Sequence, residues 1–139
     1  MKTEKVQKGK SDHIQLTCLV DTDIIIDGWR GLAKAADFIN SIKFPKISIL
    51  TYFELINGCK KKTDIKKVVE GVKSFSILEL DIEAQYLGLD IFTKHKLKDG
   101  IGIYDSLIAA SAIYSNLPLI TRNVKHYNKI KNINIFKPY

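Results

Sequence analysis

Three aspartates fall within seven positions in the stretch LVDTDIIID, at Asp21, Asp23 and Asp27, directly after a short aliphatic run. Carboxylates at the end of a buried strand repel one another and lose hydration, so they need a cation or hydrogen-bond donors beside them. Three more sites share this pattern: Glu54 follows the apolar run ISIL, Asp105 precedes LIAASA, and Thr121, Arg122 and Asn123 follow LPLI. If these oxygens meet, a hard divalent ion such as Mg2+ or Mn2+ is the cation they suit. Such an ion can lower the pKa of a water, orient it and stabilise charge on a phosphodiester, and hydrolysis of nucleic acid follows from that chemistry.

For the acids to meet, the chain has to bring distant segments to one edge. Aliphatic runs at QLTCLVD, KISIL (Lys46 to Leu50), FSILEL, Leu117 to Thr121 and NINIF (Asn132 to Phe136) read as strands. Between them, GLAKAADFINSIKF, TYFELINGCKK, TDIKKVVEGVKSF, IEAQYLGLDIFTKHKLK and DSLIAASAIYSN carry helical spacing. Phe44-Pro45 ends the first of these, and DGIG (Asp99 to Gly102) breaks the fourth. Strands alternating with helices predict an α/β fold: one domain over residues 15–139, with a central parallel sheet of four or five strands and helices on both faces. In such a sheet ligands bind beyond the carboxyl ends of the strands, where Asp21, Glu54, Asp105 and Thr121 to Asn123 would converge.

Each position also has a local explanation. Thr51-x-x-Glu54 fits a capping box, Asp105 could be a plain N-cap, and Asp21 could close a turn through its side chain. Asp23 would share a side with Asp21 only if the strand continued, and Asp27 beside Gly28 reads as a turn or helix lead-in. His13, His95 and His126 lack paired metal-ligand spacing and read as surface residues, and no CxxC pair supports zinc.

The formal charge of +7 favours polyanionic partners, while a solubilising surface explains part of the same excess. Lys60, Lys61, Lys62, Lys66 and Lys67 form one basic cluster, for which a solvated face is the default. Arg122, Lys125, Lys129 and Lys131 form another, beside the acids; Arg122 and Lys125 are the candidates for holding a phosphate backbone. Cys18 and Cys59 suit a reducing cytoplasm, and no apolar run is long enough for a membrane span. Residues 1–14 are polar and lysine-rich without periodicity, and read as a flexible basic tail.

Four stretches together, LVDTDIIID, ISILTYFELINGC, GIGIYDSLIAASA and LPLITRNVKHYNKI, resemble in order and spacing the PIN-domain endoribonucleases of the VapC toxin type. The resemblance runs from about Leu16 to the C-terminus. It implies an α/β/α sandwich and Mg2+- or Mn2+-dependent cleavage of a structured RNA such as tRNA or rRNA. It further implies a homodimer and inhibition by a cognate antitoxin. Position by position, the family's acids fall on Asp21, Glu54 and Asp105, which would hold the metal directly or through its waters. A fourth acid is common in a T-x-D or T-x-N pattern; here that position is Asn123, with Thr121 before it, and the two would orient water or substrate. Asparagine adds no charge, so one tightly held ion is expected. A nuclease of RNA maturation, or a module that binds RNA or protein without cutting it, are the alternative readings.

Overall fold

A computed structural model describes residues 7–8 and 17–139. Strand β1 (Gln7–Lys8) is followed by β2 (Thr17–Val20), α1 (Thr22–Trp29), α2 (Ala33–Ser41), β3 (Phe44–Ser48) and α3 (Ile49–Asn57). After α4 (Lys62–Gly71) and a 3-10 turn over Val72–Ser74 come β4 (Ser76–Leu78), α5 (Ile82–Asp99), α6 (Ile103–Tyr114), β5 (Leu119–Ile120), α7 (Val124–Tyr127) and β6 (Ile135–Lys137). The expectation for residues 1–14 lies outside the described residues except at Gln7–Lys8, which pair with Phe136 and Lys137.

The sheet is parallel throughout, in the order β1-β6-β5-β2-β3-β4. Five strands lie from Thr17 onward, as the alternation predicts, and β1 adds a short edge. From β2 the chain builds outward through β3 and β4, then returns to β2's other side for β5 and β6. The order therefore reverses beside β2, and in such a sheet ligands bind outside the strand ends at that reversal.

Side chains alternate across the strands with period two, so each face of the sheet has its own core. Cys18, Val20, Ile47, Ile120 and Phe136 pack with Ile24 and Ile25 of α1, Phe38 of α2, Leu55 of α3 and Val68 of α4. Leu19, Leu119 and Ile135 face the other way, against Ile91 of α5, the Ile108 to Ala110 run of α6 and Tyr127 of α7. This is the α/β/α sandwich the resemblance implies. The small residues let α5 and α6 pack closely: a Cβ added at Gly88 would come 2.6 Å from Leu107 Cδ2.

Several boundaries differ from the pattern in the sequence, each for a local reason. An unforeseen helix, α1, starts at Thr22 because Asp21 caps it, its Oδ1 accepting from Thr22 N–H at 2.8 Å. Strand β3 starts earlier than Lys46 and stops at Ser48, whose hydroxyl accepts from Leu50 N–H and caps α3, which starts two residues before Thr51. The capping box is thereby excluded: Thr51 is a buried interior residue of α3 and Glu54 lies in its second turn. Gly102 occupies the N-cap of α6, so Asp105 is inside the first turn and is not the cap. Asn116 and Asn132 take positive φ, at 52° and 66°, in the turns before the last two strands, which run over Leu119–Ile120 and Ile135–Lys137.

Candidate active site

Asp21 sits where β2 ends, 5% exposed, with both oxygens engaged. Besides the Thr22 N–H bond, its Oδ2 accepts from Thr121 Oγ1 at 2.7 Å, a link across the β2–β5 junction. Thr121 is fully buried, and its hydroxyl also accepts from Asn123 N–H at 3.0 Å. The residue bears on the site through its bond to Asp21. Asn123 is half-buried at the N-cap of α7, makes no side-chain cap bond, and keeps its amide beside this junction.

Glu54 reaches the same end of the sheet from α3, with Oε1 accepting from Thr22 Oγ1 at 2.8 Å. Thr51 Oγ1 lies 3.1 Å from the same Thr22 hydroxyl, so Thr22 ties α1 to α3 beneath the carboxylate. Of the apolar residues around Glu54, Leu55 is buried, Tyr52 and Ile56 pack half-buried on the core, and Phe53 is 60% exposed.

Asp105 approaches from α6. Tyr127 donates its hydroxyl to Oδ1 at 3.1 Å, and His126 Nδ1 lies 3.0 Å from Oδ2. Both partners come from α7, four residues long and too short to announce itself by periodicity. His126 is thus no free surface residue, and Tyr127 and Thr22 join the site without having been singled out. The T-x-N pattern followed by His and Tyr was the only local signal.

The remaining acids sort by their partners. Asp23 borders the site: its Oδ2 accepts from Arg122 N–H at 3.0 Å, and its Oδ1 is buried without a partner. Asp27 lies apart, bonded to Arg122 at 2.6 Å (Oδ2 to Nε) and to Tyr139 OH at 2.7 Å. The Arg122 guanidinium is thus paired with Asp27 while its side chain stays 47% exposed. Lys129 is likewise paired, with Asp99 at 3.1 Å, while Lys125 and Lys131 form no ion pair among the described residues.

The carboxylates bear on one another's charge. Burial pushes Asp21 up to about 8, with Asp23 and Asp105 adding repulsion against the bonds from Thr121 and Thr22. Burial also raises Asp23 and Glu54; for Glu54, the Thr22 hydroxyl opposes the shift while Asp105 and Asp23 reinforce it. Carboxylate oxygens, one of them the unpartnered buried Oδ1 of Asp23, are the ligand type that suits a hard cation. Among the described residues, however, no three acidic, histidine or cysteine side chains form a ready-made ligand group. Each carboxylate is drawn back by a protein donor. The arrangement fits an ion that keeps part of its hydration, as Mg2+ characteristically does.

The PIN domain family model matches residues 18–132. Ribonuclease VapC of Rickettsia bellii is 33% identical over 125 residues, covering 84% of this chain and 92% of that protein. Ribonuclease VapC1 of Methanocaldococcus jannaschii is 29% identical over 137 residues, covering 97% and 96%. In structure, a toxin-antitoxin complex from Klebsiella pneumoniae superposes with a TM-score of 0.73 at 26% identity, covering 88% of this chain and 98% of the other. VapBC2 from Rickettsia felis, solved bound to a DNA fragment from its promoter, shares the fold with the same TM-score at 22% identity, covering 86% and 97%. With acids at the strand ends, a sheet reversing beside β2 and relatives of matching length, the chain belongs to the PIN-domain family, among the ribonucleases of the VapC type.

Proposed function

We propose that this chain is an Mg2+- or Mn2+-dependent endoribonuclease toxin that cuts a structured RNA, of the tRNA or rRNA class, and is restrained by a cognate antitoxin. What supports the reading is that Asp21 and Glu54, from different elements, are each raised by the charge of Asp105, which lies up to 84 positions away in the chain.

Asp21, Asp105 and Glu54 would hold the ion, in part through its waters. When bound, it supplies Lewis acidity toward a water and toward the phosphodiester oxygens. The protein's own groups do the rest. Thr121 and the Thr22 N–H fix Asp21, while Tyr127 and His126 fix Asp105, so the anionic edge has one geometry before RNA arrives. Glu54, half-buried and bonded to the Thr22 hydroxyl, completes this carboxylate set from α3. In-line attack on phosphorus with departure of the 3′ oxygen leaves a 5′-phosphate and a 3′-hydroxyl, without a covalent enzyme intermediate. Lys125, exposed beside His126, would contact the RNA backbone.

Support for an antitoxin comes from the similar toxin-antitoxin complex of Klebsiella pneumoniae. A homodimer is favoured by the stripe Ile82, Tyr86, Leu89 and Leu97 along α5, which is 58–93% exposed and apolar at helical spacing. Among the described residues no helix is long and apolar enough to cross a membrane, and with its two unpaired cysteines we assign the chain to the cytoplasm.

The experiment is to map new RNA 5′ ends in cells after brief expression of the wild type beside Asp105→Asn. Discrete ends in one structured RNA, present only with the wild type, are expected. RNA bound but never cut, even by purified protein with Mn2+, would replace the enzyme with a binding module.

A further inference from the structure

Tyr127 carries a hydroxyl that its packing does not explain. The residue is fully buried, with its ring set among Leu119, Ile130 and Ile135 between α6 and the sheet. A phenylalanine would fill that volume without burying a polar atom. The hydroxyl instead ends 3.1 Å from Asp105 Oδ1, on the side of the carboxylate opposite the His126 contact at Oδ2.

We propose that Tyr127 is a positioning residue of the metal site: its hydroxyl fixes the Asp105 carboxylate toward Asp21 and thereby sets the affinity for the divalent ion, without touching RNA. The proposal rests on the reading above that these carboxylates hold such an ion. A neutral donor suits the task, because it orients the carboxylate yet leaves its negative charge for the cation, which a lysine or arginine would offset. Hydrogen-bond partners behind metal-binding side chains commonly act in this way. Tyr139 provides the contrast: its hydroxyl, 2.7 Å from Asp27 Oδ2, serves a carboxylate outside the site.

The test is direct Mn2+ binding without RNA, by calorimetry or by the electron paramagnetic signal of free Mn2+, for the wild type, Tyr127→Phe and Tyr139→Phe. Tyr127→Phe is expected to weaken Mn2+ binding roughly tenfold. The Mn2+ concentration for half-maximal cleavage should rise by a like factor, with kcat at saturating Mn2+ within about twofold. Tyr139→Phe should bind as the wild type does, and the Tyr127 effect should vanish in an Asp105→Asn background. Unchanged Mn2+ affinity in folded Tyr127→Phe, or failure of that variant to fold, would overturn the proposal by assigning the hydroxyl to no role or to stability alone. A wild type that binds no Mn2+ would remove the metal reading itself, and this inference with it.

Discussion

Thr121 donates to Asp21 across 2.7 Å and a hundred residues of chain, closing the junction between the ends of β2 and β5. The bond links one of the two central strands to the helix-capping acid of the other, so it belongs both to the fold and to the site. Thr121→Val keeps the shape of the side chain and removes the hydroxyl. The ionised Asp21 would then lose its donor in a buried setting, at a cost of about 1–3 kcal/mol. We expect denaturant unfolding to show a larger loss at pH 8 than at pH 5, where protonation relieves the carboxylate; equal losses would mean that the hydroxyl does not serve the charged form.

Asp21 itself should make the metal-free protein pH-sensitive. Its folded carboxyl lies near 8 against an ordinary 3.8, so the folded state binds its proton more tightly than the unfolded chain. The stability from this group is full below the ordinary value and lost as pH rises through about 8. Asp21→Asn should therefore melt higher than the wild type in chelator at pH 8, by on the order of 2 kcal/mol, with little gain at pH 4. A variant less stable than the wild type at pH 8 would show that Asp21 contributes through its bonds more than it costs through its charge.

Lys125 tests the RNA-facing edge. Arg122 and Lys129 are committed to Asp27 and Asp99, whereas Lys125 projects from α7 without an ion pair among the described residues. Lys125→Ala should weaken binding of a catalytically silent Asp105→Asn protein to RNA and lower the salt slope of log K by about one. An unchanged slope would place the backbone contact elsewhere, with the other cluster at Lys60 to Lys67 the next to test.

Much of this site is legible in the sequence because strand ends are. Asp21 and Thr121 close aliphatic runs, and in a parallel sheet those runs must end on one edge, so their meeting follows from topology. Glu54 and Asp105 come from α3 and α6, and the local alternatives of a capping box and an N-cap fail for both. The cap of α3 is Ser48, within what reads as strand, and the cap of α6 is Gly102. Helix α1 was hidden because Ile24, Ile25 and Ile26 are β-branched and read as extended, while Asp21 in fact starts a helix. His126 and Tyr127 could not be found by periodicity, since α7 is four residues long and their partner Asp105 lies 21 and 22 positions away. What periodicity reports is which face is apolar; which donor answers which carboxylate is decided by packing between elements.

The shared divalent ion is the centre of the account, and cleavage by purified protein tests it most directly. Wild type, Asp21→Asn and Asp105→Asn would be incubated with a mixture of structured RNAs in Mg2+, in Mn2+, or in chelator. The account predicts discrete cleavage by the wild type with either ion, none in chelator, and a loss of at least about a hundredfold in both variants. Cleavage that persists in chelator and survives both substitutions would contradict it.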